Sequence, residues 1–324
     1  MMKLTRRAFI AGSTLSLSAT QLWAQSGDIV QLEGPAFGAR WRISLPEGID
    51  ANVVAQKVSN IIASVDAQMS PFKPTSEISA FNRSTSTQLY PVSDDILTTV
   101  KEAKRIAQIT QGAFDPTLGG VVGRFGFGPI RNTPVGKFQD MSVSENGLQK
   151  SHPEQTLDLC GIAKGFALDQ ISIALTDLRH HNFFAELGGE VFAHGLHPTG
   201  RPWTAGIERP VAGAHGFNRT VRLDNEALAT SGDVVNSYVH AGHRYSHIID
   251  PQSLRPTNST LASVCVFATC AMTADAFATA LYAMGPMNGP EFAQSHEIAA
   301  MFVLRDQAGL METMTHNFST RLIG

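Results

Sequence analysis

The sequence has few cysteines, few charges and no basic tract. Its three cysteines, Cys160, Cys265 and Cys270, form no C-x-x-C pair and accompany no histidine cluster, so neither a disulfide framework nor a zinc site is indicated. Only 16% of the 324 residues are charged, and the formal net charge is −3. A mildly acidic chain without a run of lysine and arginine argues against a nucleic-acid-binding protein and against electrostatic attachment to a membrane.

The sequence also lacks an apolar run long enough to act as a permanent membrane anchor. Residues 1–24 hold three basic residues and no acid, and a short, weakly apolar segment follows the arginine pair in TRRAFI at 5–10. This is the twin-arginine pattern of an export signal. We expect residues 1–24 to be a signal peptide cleaved after Ala24, and residues 25–324 to be a single domain, soluble in the periplasm.

No internal repeat or low-complexity linker divides the rest of the chain, and 43% of the whole sequence is apolar, enough for a large core. Period-two alternation in RWRISL predicts strand material at 28–45, and further strands are predicted near 226–230, 245–249 and 262–268. Apolar spacing predicts helices over 51–69, 93–112 and 162–178, and from Thr273, as N-cap, to about Met284. The segment AFDPTLGG at 113–120 is expected to be an irregular loop. Because helices and strands do not alternate strictly, the predicted class is α+β.

The stretch LDLCGIAKGFALD at 157–169 places two glycines and a lysine at the start of a predicted helix. If Leu157 to Leu159 end a strand, Gly161 allows close backbone approach, and the free N–H groups of the helix favour an anion. Lys164 is unfavourable for the helix dipole in that turn, unless an anion binds there. The stretch matches neither a Walker loop nor a dinucleotide fingerprint, so it indicates either a phosphate site or a structural turn.

Two further segments carry candidate functional residues. In TADAFATALYAMG at 273–285, Asp275 and Thr279 are four residues apart and so share one helix face. Their oxygens suit Mg²⁺, although Asp275 could equally complement the helix dipole while Thr279 packs. In YSHIIDP at 245–251, His247 could accept a proton from a hydroxyl, or could be a structural histidine.

Taken in order, seven short motifs resemble the ApbE family, the periplasmic FAD:protein FMN transferases. They span about residues 34–285 and are SEISAFN at 76–82, GAFDPT at 112–117, LDLCGIAKGFALD at 157–169, ELGGE at 186–190, ATSGD at 229–233, SHIIDP at 246–251 and TADAFATALYAMG at 273–285. The resemblance implies an α+β fold related to the T-fold. It also implies Mg²⁺-dependent transfer of FMN from FAD to a Ser or Thr hydroxyl of an exported or membrane-bound flavoprotein, with release of AMP.

The resemblance also implies roles for individual residues. The metal would be held by Asp275, Thr279 and a backbone carbonyl of the glycine-rich loop, assigned to Gly161, and His247 would be the proton acceptor. The FAD site would include Ala113, Phe114, Asp115, Asp158, Lys164 and the backbone around Ile248. Such chemistry needs positioned cations to neutralise developing charge and a base for the attacking hydroxyl.

The sequence departs from the family pattern at several positions. In FGARW at 37–41, Phe37 stands where methionine is usual and Ala39 where threonine is usual, while Phe72 replaces a frequent tyrosine. The Phe37 and Phe72 rings are expected to keep a contact with the flavin or the adenine. Leu254 replaces a glycine after the Asp-Pro turn, which affects local geometry and docking of the target rather than the metal site.

Two other functions share these residues. A periplasmic FAD pyrophosphatase would use water in place of the protein hydroxyl and release both FMN and AMP. A non-catalytic FAD-binding assembly factor would keep the pocket alone, and the presence of Asp275, Thr279, Lys164 and His247 argues against it.

Overall fold

The computed structural model describes residues 29–323 except 212, 214–215, 235, 241–242, 258–259 and 308. The predicted signal peptide and its cleavage point at Ala24 lie outside the described residues. The helices are α1 (Ala51–Met69), α2 (Glu77–Arg83), α3 (Asp94–Ile109), α4 (Gly119–Arg124), α5 (Ala163–Asp177) and α6 (Ala271–Ser295). None of the helices in the described ranges is long and apolar enough to cross a membrane.

The strands are β1 (Ile29–Ala36), β2 (Ala39–Pro46), β3 (Met141–Ser144), β4 (Gly147–Lys150), β5 (Phe183–Leu187), β6 (Glu190–His194), β7 (Trp203–Glu208), β8 (Phe217–Leu223), β9 (Glu226–Gly232), β10 (Ser237–His240), β11 (His243–Ser246), β12 (Ile249–Asp250), β13 (Arg255–Pro256), β14 (Leu261–Ala268), β15 (Ala300–Asp306), β16 (Gly309–Met314) and β17 (Leu322–Ile323). Eight of them form an antiparallel sheet in the order β1-β2-β5-β6-β9-β14-β15-β16, and β17-β8-β7 form a smaller one. Pairs β3-β4, β10-β11 and β12-β13 are separate hairpins. The predicted α+β class is confirmed.

The large sheet is covered on both faces, and strand β14 shows why. Val264 and Val266 face the core formed with α5 and α6, whereas Cys265 and Phe267 face the core under the small sheet. A strand buried on both sides is apolar throughout, and the predicted strand at 262–268 lies within β14. Full burial of each valine stabilises the fold by about 1.5–3 kcal/mol. All three cysteines are free, which agrees with the absence of a disulfide framework.

The N-terminal strand prediction divides into two strands joined by a tight turn. Phe37 (φ 48°) and Gly38 (φ 79°) both adopt left-handed backbone conformations between β1 and β2. Two such residues in succession make the primed turn that matches the twist of a hairpin. The side chain of Phe37 is 36% exposed at this turn.

Helix α6 begins earlier than predicted, and Thr273 is not its N-cap. The helix starts at Ala271, and the carboxylate of Asp169 accepts hydrogen bonds from the backbone N–H groups of Ala271 (2.6 Å) and Met272 (2.9 Å). The hydroxyl of Thr273 donates instead to Glu102 at 2.6 Å. A residue of α5 therefore caps α6, which a search of the local sequence cannot find.

The expected end of that helix near Met284 corresponds to a kink. Gly285 has φ 80° and ψ −173° and separates the first helical segment from the one that runs on to Ser295.

The loop expected at 113–120 is only partly irregular, because helix α4 starts at Gly119. Gly123 allows this helix to pack closely, since a Cβ there would lie 1.6 Å from the Ile130 carbonyl oxygen.

Candidate active site

The loop before α5 is held in place from outside the predicted motif. Residues 157–159 belong to no strand. Instead, the side-chain amide of Asn82 donates to the Leu157 carbonyl and accepts from the Leu157 N–H, both at 2.8 Å. These two bonds replace a strand partner and satisfy buried backbone groups just ahead of Gly161. Asn82 comes from SEISAFN, so two of the motifs meet here.

Close packing of α5 against α6 depends on glycine. A Cβ at Gly165 would lie 2.4 Å from the carbonyl oxygen of Ala271 and 2.6 Å from Cα of Met272. The backbone N–H of Gly165 donates to Asp275 Oδ2 at 3.1 Å. The side chain of Asp275, only 3% exposed, is thereby held at the start of α5.

Gly161 lies against the second predicted metal ligand. A Cβ at Gly161 would be 3.4 Å from Thr279 Oγ1 and 3.2 Å from the ring of Phe114. The hydroxyl of Thr279 is also 3.3 Å from the hydroxyl of Ser231, a buried residue near the end of β9. The structure thus brings Gly161, Thr279 and Phe114 together, with Asp275 one turn away on the same helix.

Lys164 links two buried carboxylates. Its ammonium forms an ion pair with Glu190 Oε1 and lies 3.9 Å from Asp275 Oδ1, which is too far for a hydrogen bond. Burial opposes the charge on Lys164, but the two carboxylates outweigh it and raise its pKa. Burial raises the pKa of Glu190 and of Asp275, and the Lys164 charge opposes the rise in both. Glu190 Oε2 is buried without a hydrogen-bond partner among the described residues.

The donors at this point suit a hard divalent cation. They comprise the Asp275 carboxylate, whose Oδ1 makes no hydrogen bond within the described part of the chain, and the Thr279 hydroxyl beside the Gly161 backbone. Oxygen donors of this kind, with few protein ligands and room for water and phosphate oxygens, match the preferences of Mg²⁺. No group of three or more His, Cys, Asp or Glu side chains with metal-site spacing occurs within the described ranges, so a transition-metal cage is not offered there.

His247 follows hairpin β10-β11 and has a defined tautomer when neutral. Its Nδ1 and its backbone N–H both lie 3.1 Å from the carbonyl oxygen of Asn236. A carbonyl oxygen only accepts, so Nδ1 carries the proton and Nε2 is left as the acceptor. Burial is the main cause that lowers the pKa of His247, and the positive charge of Lys164 lowers it further. The ring is therefore neutral near pH 7 and able to take up a proton.

The GAFDPT motif reaches the glycine-rich loop through backbone contacts. The N–H of Asp158 donates to the Pro116 carbonyl at 2.7 Å. The Asp115 carboxylate accepts from Thr117 N–H, Thr117 hydroxyl and Phe138 N–H, and burial raises its pKa. Asp158 Oδ1 accepts from the Cys160 N–H at 3.0 Å. Both predicted FAD-binding acids thus shape local turns.

The remaining residues predicted to contact FAD differ in how far they are buried. Ala113 is partly buried in the core beside Phe114. Ile248 is buried, and its backbone is engaged locally, since its N–H donates to the Ser246 hydroxyl and its carbonyl accepts from the Thr257 N–H. The Phe72 ring is 62% exposed after α1. Their contacts with FAD remain predictions.

Three polar residues were not singled out from the sequence. Glu190, Ser231 and Asp233 belong to the motifs ELGGE and ATSGD, for which the resemblance implied no role of an individual residue. Each is buried, and Asp233 accepts two hydrogen bonds from Arg305 at 2.5 and 2.9 Å. Acidic residues directly after apolar runs were the available signal. Their partners are far away along the chain, so spacing alone could not assign them a role.

Ala39, one of the departures, lies near the lysine. A Cβ on Gly188 would be 3.6 Å from both Ala39 Cβ and Lys164 Cδ. The β1-β2 hairpin therefore borders the Lys164 environment.

Leu254, another departure from the family pattern, keeps the left-handed backbone for which glycine is usual. Its φ is 55°, a conformation that costs a non-glycine residue about 1–2 kcal/mol.

Fold and site together define an α+β protein in which a lysine, buried carboxylates and hydroxyls meet at a helix start, a combination suited to a phosphate anion and a hard cation. Residues 37–302 match the model of the ApbE family, so the chain belongs to that family.

Relatives named "FAD:protein FMN transferase" cover most of the chain. The one from Vibrio cholerae is 34% identical over 306 residues, which is 89% of this chain and 91% of the relative. The one from Escherichia coli strain K12 is 30% identical, over 91% of this chain and 90% of the relative. The structure of "Flavin Transferase ApbE from Vibrio cholerae" superimposes with a TM-score of 0.81 at 33% identity, covering 91% of this chain and 99% of that one. The apo structure of Pseudomonas stutzeri flavinyl transferase ApbE gives 0.82 at 29% identity, over 91% and 98%.

Proposed function

We propose that this chain is an enzyme that transfers FMN from FAD to a protein target. Relatives named "FAD:protein FMN transferase" cover about nine-tenths of the chain at 30–34% identity. The observation that carries the proposal is the placement of Lys164 at the start of α5 between Glu190 and Asp275, beside Gly161 and Thr279. Such a group of a cation and oxygen donors at the positive end of a helix dipole can hold a diphosphate.

The proposed reaction forms a phosphoester on a Ser or Thr hydroxyl. The acceptor oxygen attacks the phosphorus of the FMN half of FAD, and the bond from that phosphorus to the bridging oxygen breaks. AMP leaves with the bridging oxygen, and the hydroxyl proton passes to Nε2 of His247. Because Nδ1 is held by the Asn236 carbonyl, the ring presents Nε2 in one orientation.

We propose that Asp275, Thr279 and the Gly161 backbone hold Mg²⁺ and that Lys164 binds a diphosphate oxygen. A divalent cation supplies charge neutralisation at the transferring phosphoryl group. Glu190 keeps Lys164 from swinging into solvent, and Gly165 N–H keeps Asp275 oriented. For FAD, the proposed contacts are Phe37, Phe72, Ala113, Phe114, Asp115, Asp158 and the backbone around Ile248.

The test uses the chain from residue 25 onward with FAD, MgCl₂ and each protein encoded beside its gene as the acceptor. Flavin fluorescence on one acceptor in a denaturing gel, with equimolar AMP, is the expected outcome. FMN and AMP released with no labelled acceptor would identify a pyrophosphatase instead. Bound FAD that stays intact under all conditions would identify an assembly factor.

We also propose that residues 1–24 direct export by the twin-arginine route, and that residues 25–324 are one domain in the periplasm. The arginine pair and the weakly apolar segment after it support this proposal. Replacing both Arg6 and Arg7 with lysine should retain the chain in the cytoplasm, as measured by cell fractionation. An unchanged periplasmic fraction would contradict this assignment.

A further inference from the structure

Three aromatic rings extend outward from the proposed base, and we name them the aromatic face: Phe127, Tyr238 and Tyr245. The Phe127 ring meets His247 edge-on at 6.3 Å between centroids and stacks on Tyr238 at 5.2 Å. Tyr238 stacks in turn on Tyr245 at 5.1 Å, across hairpin β10-β11. The Tyr238 side chain is 40% exposed. A continuous apolar surface thus begins at the imidazole and reaches the outside of the molecule.

Tyr245 also lines an open groove of about 670 Å³. The groove lies between the end of α4 and hairpin β12-β13, and its other walls are formed by Arg124, Phe125, Ser253, Leu254, Arg255 and Pro256. Leu254 and Phe125 pack on the small core cluster of Leu118, Val121 and Ile249, which gives the groove an apolar floor.

The lining of the groove is positively charged and includes no acidic residue. Arg124 and Arg255 are exposed, and neither takes part in an ion pair within the described ranges. No carboxylate belongs to its lining. Two unpaired guanidinium groups over an apolar floor are complementary to a segment with acidic and apolar side chains.

We infer that this groove binds the segment of the acceptor protein that flanks the modified hydroxyl, and that this segment carries acidic and apolar side chains. The inference rests on the proposed function, which requires a protein hydroxyl at His247. A segment in the groove continues over Tyr245 and the aromatic face directly to that imidazole. Leu254, which departs from the glycine of the family pattern, supplies part of the apolar contact.

The test measures binding of peptides to the FAD-loaded chain. Two fluorescein-labelled 15-residue peptides carry a central threonine between apolar residues, one with aspartates and one with lysines at the same positions. Fluorescence anisotropy gives their dissociation constants, and mass spectrometry detects transferred FMN. The variant is Arg124→Glu with Arg255→Glu, and the matched control is Arg179→Glu with Arg222→Glu, which changes net charge equally at two exposed arginines elsewhere.

The acidic peptide should bind at least 10-fold more tightly than the basic one, and the groove variant should reverse this order, because charge reversal turns attraction into repulsion. The control variant should keep the original order, and FAD affinity should be the same in all three proteins. Equal binding of both peptides, no binding of either, or the same change in both variants overturns the inference.

The same measurements separate the groove from the proposed function. Charge-dependent binding without any FMN transfer would leave the groove assignment standing and contradict the transferase. Equal transfer of FMN to the acidic and the basic peptide would support the transferase and contradict the groove assignment. A groove variant that loses FAD affinity would assign the two arginines to the nucleotide and overturn the docking inference.

Discussion

The backbone N–H of Gly165 and the carboxylate of Asp275 are joined by a hydrogen bond of 3.1 Å. The two residues are 110 positions apart, and their contact brings the starts of α5 and α6 together. The bond uses Oδ2 and leaves Oδ1 facing Lys164 at 3.9 Å. The proposed metal ligand is therefore positioned by the same helix start that is proposed to bind the diphosphate.

Gly165→Ala tests the importance of this helix contact for the fold. The added methyl group would meet the Ala271 carbonyl oxygen at 2.4 Å, so the helices must separate. We expect the free energy of unfolding to fall by about 1–3 kcal/mol in urea titrations, as for other overpacked cores. Gly128→Ala is the control, since Gly128 does not have a positive φ and the nearest atom to its Cβ would be the side-chain Cγ1 of Val122 at 3.3 Å. Equal or smaller loss in Gly165→Ala would contradict the packing argument.

Glu190→Gln tests whether Glu190 positions Lys164. The substitution keeps the size of the side chain but removes the buried charge that pairs with the ammonium. We expect kcat for AMP release to fall about 10-fold, because Lys164 loses the partner that positions it. The KM for FAD should not rise, because the substitution removes a carboxylate that competes with the diphosphate for Lys164. Glu190→Asp should restore part of kcat. A rise in KM with unchanged kcat would assign Glu190 to substrate binding instead.

The pH dependence of FMN transfer tests His247 as the base. Only the neutral ring accepts a proton, so activity rises with pH through the pKa of His247. Burial, together with the charge of Lys164, lowers that pKa, so the rise should lie below about 6.5. His247→Ala should reduce kcat by about 10²–10⁴-fold and remove this limb of the profile. Retention of the limb in the variant would show that another group titrates.

Asp169 should make stability depend on pH in a defined direction. Burial raises its pKa in the folded protein to about 6, although the N–H groups of Met272 and Ala271 oppose the rise. Between pH 4 and 6 the folded chain then holds a proton that the unfolded chain has lost, so stability falls as pH rises through this window. The free energy of unfolding of the parent minus that of Asp169→Asn should fall over the window and level off above it. A difference that rises or stays constant would contradict the raised pKa.

Local signals predicted much of the fold from the sequence. The continuous apolar run of β14 and the apolar residues of α5 identified those elements, because both are largely buried. The helix-face argument for Asp275 and Thr279 needed only their spacing. The capping of α6 by Asp169 and the pairing of Lys164 with Glu190 were missed, since each joins residues far apart in the chain. Thr273 met the local rule for an N-cap, but a competing long-range cap places the N-cap at Cys270, three residues earlier.

The central claim is that Asp275 and Thr279 hold the cation needed to cleave the FAD diphosphate. The most direct test measures AMP release from FAD as a function of Mg²⁺ concentration for the parent, Asp275→Asn and Thr273→Val, a control on the same helix. We predict Mg²⁺-dependent release by the parent and the control, and a loss of at least about 100-fold or a large shift to higher Mg²⁺ concentration in Asp275→Asn. An Asp275→Asn variant with the rate and Mg²⁺ requirement of the parent would contradict the account.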